Sequence, residues 1–282
     1  MGDLVTYQSM TAGGVEVIPL IDTVGPMGES LRRPLEETFG GATARDWAWA
    51  RDSYPEAFGP GDQWVLRFHC FLLRDAAGRT AVVDTGVGPV DSPAASWAPV
   101  PGGLLGELAA VGVDPREVEA VILTHLHSDH AGGVVADGIP VFPNARHVIQ
   151  RAELDWIEAA GPGPMRERIL RPLDGLVQAV QGQAEVFPGV GVAHAPGHTP
   201  GHQVVMAGPL TMTGDAILHP VQLVDPAVTY VYDEDPALAV ETRRELLTRV
   251  SAAGGLLGPA HFPEPIIGLP GSPSHGYARA HG

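Results

Sequence analysis

Apolar and polar residues first alternate over residues 15–20, and that period-two spacing predicts a strand that opens a sheet. Regularity fails from 21 to 63, where Gly and Pro mix with Arg32, Arg33, Trp47, Trp49, Tyr54 and Phe58. An irregular stretch this long in a compact domain is usually functional or disordered, and its aromatics argue against disorder. Two readings stand, a lid or wall over a substrate pocket and an extension packed on a neighbouring subunit. Either would bury the rings. Residues 64–73 and 80–83 predict two strands joined by a turn with Gly78 near its end. A helix is expected over 103–111, ending near Gly112, and a short helical turn at 114–119. The apolar run from Ala120 to Leu123 reads as a short buried strand.

Further on, residues 145–149 predict a strand and 151–160 a helix, while 165–180 is expected to be partly helical with a break at Pro172. Four short strands, at 183–187, 190–193, 203–207 and 210–213, would make a second sheet. Asp235 as N-cap and Pro236 at the first helical position mark a helix running to about Ala253, stopped by Gly254 and Gly255. Leu256 and Leu257 follow as a last short strand. Residues 263–282, rich in Gly and Pro, are expected to form a loose tail in which His275 and His281 are solvated.

Composition narrows the function. The 282 residues are 44% hydrophobic and 18% charged, the make-up of a packed globule. Acidic residues outnumber basic ones 33 to 17, the formal charge is -16, and no Lys occurs. A polyanionic partner is disfavoured, because nucleic-acid binders present a basic face. Cys70 is the only cysteine and sits among apolar neighbours, which suits an inert core thiol and rules out an intrachain disulfide. The start, Met1-Gly2-Asp3-Leu4, has neither a basic nor an apolar signal region, and no apolar run reaches membrane-spanning length. A cytoplasmic protein with no membrane partner is therefore expected.

The densest chemistry lies just past the 120–123 strand, in Thr124-His125-Leu126-His127-Ser128-Asp129-His130, followed by Ala131-Gly132-Gly133. Three imidazoles and a carboxylate within six residues would lose hydration on burial, and a cation that all of them face accounts for the cluster. Alternation sends His125 and His127 to the same side of the chain. Asp129 and His130 then fall on a turn, where Gly132 and Gly133 permit close backbone approach. Without thiolates, such ligands suit zinc, with iron, cobalt and manganese left open on ligand type alone.

HxHxDH followed by a small residue and Gly-Gly resembles the signature of the metallo-β-lactamase-fold hydrolases. Further matches follow in order: His198 in Ala195-Pro196-Gly197-His198-Thr199-Pro200-Gly201-His202, Asp215 in Thr213-Gly214-Asp215, and His261 in Gly258-Pro259-Ala260-His261. The likeness runs from about Val15 to His261. It implies a four-layer αβ/βα sandwich, an α/β fold in one domain over 1–282, binding two divalent metal ions, with zinc expected. By the same resemblance His125, His127 and His198 would hold one metal, Asp129, His130 and His261 the other, and Asp215 would bridge them. Two metals lower the pKa of water and polarise a substrate oxygen, so no Ser or Cys nucleophile is required. Asp129 would double as a proton shuttle to the leaving group. Asp84, in Asp84-Thr85-Gly86, is either a turn-former or, by resemblance, the carboxylate that holds a ligand imidazole in its tautomer.

Ligand identities separate the branches of the family. Asp215 stands where the best known zinc β-lactamases have Cys, and His127 where the diiron flavoproteins have Glu. What remains are small-molecule hydrolases: a lactonase first, then a thioesterase, then an aryl-ester or organophosphate hydrolase. A metal-binding regulatory protein is the non-enzymatic alternative. Gly214-Asp215-Ala216-Ile217-Leu218-His219 resembles a lactonase and methyl-parathion-hydrolase-like branch, although the bacillus-type lactonases carry a Tyr at the place of Leu218. His219 is a candidate catalytic residue that would reach substrate, set against a packed role behind the ligands; His202 is expected to be structural. A small-molecule substrate is the expected partner and a homodimer an open alternative. Its pocket should be walled by 21–63 and by the helical insert after Arg151.

Overall fold

The computed structural model describes residues 8–271. Its first sheet has seven strands in the spatial order β1 (Met10–Ala12), β2 (Val15–Pro26), β3 (Val65–Arg74), β4 (Thr80–Val83), β5 (Val118–Ile122), β6 (Arg146–Gln150) and β7 (Val177–Val180). Neighbours from β1 to β4 are antiparallel, and those from β4 to β7 parallel. The second sheet runs β8 (Ala184–Phe187), β9 (Val190–His194), β10 (Gln203–Ala207), β11 (Leu210–Gly214), β12 (Leu256–Pro259) and β13 (Ile267–Gly268). It is antiparallel except for the β11 and β12 pair.

Period-two alternation builds the layers. From β2 and β3, Val15, Val17, Phe71 and Leu73 meet Val190, Val192, Val205 and Met212 of the second sheet in a central core. Ile18, Leu20, Cys70 and Leu72 point the other way, onto Leu104 and Leu108 of α2 (Leu104–Ala110) and Ile157 of α3 (Arg151–Ala160). On the far side, Val204 and Leu257 take Leu246 and Val250 of α4 (Pro236–Ala252). Each such side chain stabilises the fold by about 1.5–3 kcal/mol on burial. The result is a four-layer αβ/βα sandwich. Asp235 caps α4 by accepting the Leu238 N–H at 3.0 Å, with Pro236 in the first turn.

Three stretches depart from the pattern-based expectation. Within 21–63, β2 continues to Pro26 against Val65, and α1 (Ala44–Ser53) forms a regular helix. Its start carries a signal that apolar periodicity overlooks. The Asp46 N–H donates to Thr43 Oγ1 at 3.3 Å and the Thr43 N–H to Asp46 Oδ2 at 2.8 Å, a reciprocal capping box. Residues 165–180 hold one wide helical turn, Met165–Leu170, before becoming β7, the parallel partner of β6. Residues 263–271 are not loose: Ile266, Ile267 and Leu269 are buried and β13 extends the second sheet. His275 and His281 lie outside the described residues. Cys70 is buried, and burial pushes its thiol well above the ordinary range, as an inert core cysteine requires. No helix among the described residues is long and apolar enough to cross a membrane.

Candidate metal centre

Strand ends from both halves converge on one point. His125 and His127 follow β5, and Asp129 and His130 lie on the helical turn Ser128–Ala131 directly after them. Gly133 is required behind this turn, since a Cβ there would sit 2.1 Å from the Thr85 carbonyl oxygen. From the other half come His198 in the β9 to β10 loop, Asp215 after β11 and His261 after β12.

Asp215 faces both sets of ligands, one oxygen to each. Its Oδ2 lies 3.2 Å from His198 Nε2 and 3.9 Å from His125 Nε2, and His198 Nε2 is 2.9 Å from His127 Nδ1. Its Oδ1 lies 3.2 Å from His130 Nε2 and 3.1 Å from His261 Nε2. Asp129 Oδ2 completes the second group, 3.4 Å from each of those two nitrogens. All seven sequence-predicted ligands therefore meet, as His125, His127, His198 and Asp215 beside Asp129, His130 and His261.

The nitrogens turned away from the centre are tied down. His130 Nδ1 is 2.8 Å from Asp84 Oδ2, His198 Nδ1 2.9 Å from Asp233 Oδ1, His261 Nδ1 2.9 Å from the Arg67 carbonyl, and His125 Nδ1 3.1 Å from Thr124 Oγ1. Holding the outer nitrogen leaves the inner lone pair for a ligand role. Consistent with that, His125 Nε2, His130 Nε2 and Asp215 Oδ1 are buried and find no hydrogen-bond partner among the described residues. Orphaned polar atoms facing one another in a protein interior fit a cation between them. Asp84 adopts φ 56, which aims its carboxylate at the Thr124 N–H and hydroxyl, each 2.8 Å away, as well as at His130. His202 works from below, donating towards the Ala195 carbonyl at 3.2 Å and accepting the Asp215 N–H at 3.0 Å.

Electrostatics point the same way. Burial opposes charge on His130 and His198, yet Asp215 and neighbouring carboxylates overcome it, raising His198 to about 9 and His130 well above the ordinary imidazole range. Burial would likewise raise Asp215, but His130, His261 and His198 hold it well below the usual carboxylate value. Burial and neighbouring imidazoles lower His127 to about 3. The cage thus draws positive charge to its carboxylates, a demand that divalent cations satisfy.

Above the cage opens a cavity of about 430 Å³. Its floor includes His127, Asp129, His198, Asp215 and His261, and its walls include Met27, Leu31, Trp64, Trp97, Tyr230 and Tyr232. Only part of the expected wall is in place. Met27 and Leu31 come from the 21–63 segment, whereas the helix after Arg151 does not line the cavity; residues 218 and 230–234 take that side. His219 stands apart from the cage. It is fully buried and away from the cavity wall, with Phe39, Phe58, Trp47 and Trp64 ring centroids 4.9, 5.3, 5.5 and 5.6 Å from its own. Its Nδ1 accepts the Val221 N–H at 3.2 Å, and burial lowers it to about 3, the setting of a neutral packed group, the second of the two roles weighed for it. Asp233 carries no sequence signal, because it falls at no recognisable spacing from His198, the ligand it holds.

A buried ring of imidazoles and carboxylates between two sheet-and-helix halves defines the class, metal-binding αβ/βα sandwich proteins. Residues 69–261 match the metallo-beta-lactamase superfamily, and the chain belongs to it. An N-acyl homoserine lactonase from Bacillus sp is 39% identical over 114 residues, 39% of this chain and 42% of that protein. The N-acyl homoserine lactonase AttM of Azorhizobium caulinodans is 31% identical over 187 residues, 56% of this chain and 68% of that protein. The chain thus spans less than half of the first relative and about two thirds of the second. Among solved structures, AidC, described as a dizinc quorum-quenching lactonase in complex with a product, superposes with TM-score 0.76 at 22% identity, covering 94% of each chain. The hydrolase AbOPH superposes with TM-score 0.77 at 23% identity over 93% of this chain and 92% of its own. At those identities the structural likeness concerns the fold.

Proposed function

We propose that this protein is a two-metal hydrolase that cleaves an ester-like bond of a small, uncharged, partly apolar molecule, with a lactone as the leading substrate. The carrying observation is the split of Asp215 between two ligand groups on the floor of a cavity walled by aromatic and aliphatic side chains. His125, His127 and His198 would hold one ion, Asp129, His130 and His261 the other, with Asp215 shared and zinc the fitting metal for this N and O donor set. Bound there, divalent ions acidify water and polarise a carbonyl oxygen, so that no side-chain nucleophile is required.

The chain's own residues do the rest. Met27, Leu31, Trp64 and Trp97 bury an apolar substituent and exclude water. Asp129 lies on the cavity floor within reach of a leaving oxygen and can carry a proton to it. No arginine lines the cavity among the described residues, while Asp233 and Glu234 do, which favours a neutral substrate over a carrier thioester bearing phosphates or carboxylates. The lactonase names of the relatives support the same choice.

The test is a panel of acyl-homoserine lactones, γ- and δ-lactones, aryl esters, acyl thioesters and a phosphotriester, compared by kcat/KM. Lactones should lead. Thioesters ahead of every lactone by tenfold, about 1.4 kcal/mol of transition-state stabilisation, would replace the lactonase reading with a thioesterase.

A further inference from the structure

Glu153 sits in the first turn of α3 and is completely buried, although it does not line the cavity. Its two oxygens are divided between the two ligand-bearing loops. Oε1 accepts the N–H of Leu126 at 2.8 Å, the residue between His125 and His127. Oε2 accepts the Thr199 hydroxyl at 2.7 Å and the Gly201 N–H at 2.9 Å, both from the loop that carries His198. The first loop leaves the first sheet and the second belongs to the second sheet. One carboxylate therefore links the two halves of the sandwich at the place where His127 Nδ1 and His198 Nε2 lie 2.9 Å apart.

The surroundings are shaped for this link. A Cβ on Gly201 would fall 2.0 Å from the Glu153 backbone nitrogen, so only glycine lets this loop close onto α3. A second polar tie runs alongside. Gln203 donates its Nε2–H to the Leu123 carbonyl at 2.8 Å and accepts from Gln150 Nε2 at 3.0 Å, while its backbone N–H donates to the Thr124 carbonyl at 2.8 Å. Gln150 and Gln203 hold the strand ends in register, and Glu153 holds the loops that follow them. A buried carboxylate is costly to desolvate, and three donors at 2.7–2.9 Å offset that cost.

We infer that Glu153 is a positioning residue of the metal centre, a brace that sets the distance between the His125 and His127 loop and the His198 loop, and so the affinity of the first ligand group for its ion. The inference rests on the two-metal reading above. Geometry errors of a fraction of an ångström between ligands are what such bracing prevents, and partners behind metal ligands typically carry about 10- to 100-fold in metal affinity.

The experiment compares the parent with Glu153→Gln, Glu153→Ala and Thr199→Val. Zinc content is read by elemental analysis, zinc affinity by competition with a chromogenic chelator, and melting temperature with and without zinc. Glu153→Gln keeps one acceptor oxygen and turns an N–H on the other loop's donors; it should weaken one of the two zinc equivalents, that of the His125, His127 and His198 group, about tenfold, and Glu153→Ala more. The zinc-dependent rise in melting temperature should shrink in the same order, with Thr199→Val showing the smallest loss. Equal melting losses with and without zinc, at parental zinc affinity, would make Glu153 an ordinary folding contact and overturn the inference. If Glu153→Ala fails to fold, the Gln and Thr199 variants decide. A parent that binds no zinc would instead overturn the two-metal reading itself.

Discussion

Two regions of this molecule bury histidines completely, and they do so for opposite reasons. In the metal cage, His130 and His198 each have the outer ring nitrogen against a carboxylate and the inner one turned towards Asp215. In the aromatic box, His219 has its Nδ1 satisfied by a backbone N–H and its other nitrogen among aromatic rings, with no carboxylate hydrogen-bonded to it among the described residues. Burial alone does not distinguish a ligand from a packing residue. The anchoring partner does, because an acceptor behind the ring fixes which nitrogen keeps a lone pair for a cation.

The sharpest way to break this contrast is to empty the cage. Treatment with a strong chelator should abolish hydrolysis, with recovery on adding zinc, cobalt or manganese, and elemental analysis should find close to two equivalents in the untreated protein. One tightly held iron with an oxidative activity would contradict it. Asp215→Ala should come next, with a loss of orders of magnitude in kcat/KM, since one oxygen of that carboxylate faces each ligand group. A variant that retained two equivalents and the parental rate would end the bridging model.

Smaller effects sharpen the contrast. Asp84→Ala and Asp233→Ala remove the anchors of His130 and His198 and should each lower metal affinity about 10- to 100-fold, measured by chelator competition. Unchanged affinity in both would mean that the outer nitrogens are incidental. His219→Phe should leave kcat/KM within about threefold of the parent, the smallest catalytic effect of the set.

The aromatic box has its own signature in pH. His219 titrates at about 3 in the fold against 6.5 when exposed, because burial disfavours its charged form. Its neutral burial therefore contributes stability that is fully present above pH 6.5 and lost as pH falls towards 3. Between pH 7 and pH 5 the parent should lose about 2 kcal/mol more than His219→Phe, read from urea unfolding. Parallel pH profiles for the two proteins would place His219 in a wetter site than the packing indicates.

Much of the cage is legible in the sequence. His125, His127, Asp129 and His130 are adjacent in sequence, so local alternation and one turn suffice to gather them. His198, Asp215 and His261 are distant in sequence and are marked as ligands only by the family resemblance, although Asp215 and His261 do follow short apolar strands. The layered αβ/βα fold is what the motif's resemblance implies; periodicity adds where its strands and helices fall. The helix Ala44–Ser53 escaped because its apolar face is weak and its evident mark is a capping pair, Thr43 and Asp46.

What the chain determined by itself, then, was chemistry that is local: which residues can bind a cation, and which strands present them. Tertiary structure alone decided the partners that come from far away. Asp233 reaches His198 across 35 positions, and Glu153 joins Leu126 to Gly201 from a helix whose periodicity marks only its apolar face. Tertiary packing also turned His219 into the aromatic box and put residues 230–234, not the helix after Arg151, against the cavity. The physical reason is that a side chain's period along a strand or helix says which face it shares, whereas the groups facing it across a gap depend on how two separately formed halves dock.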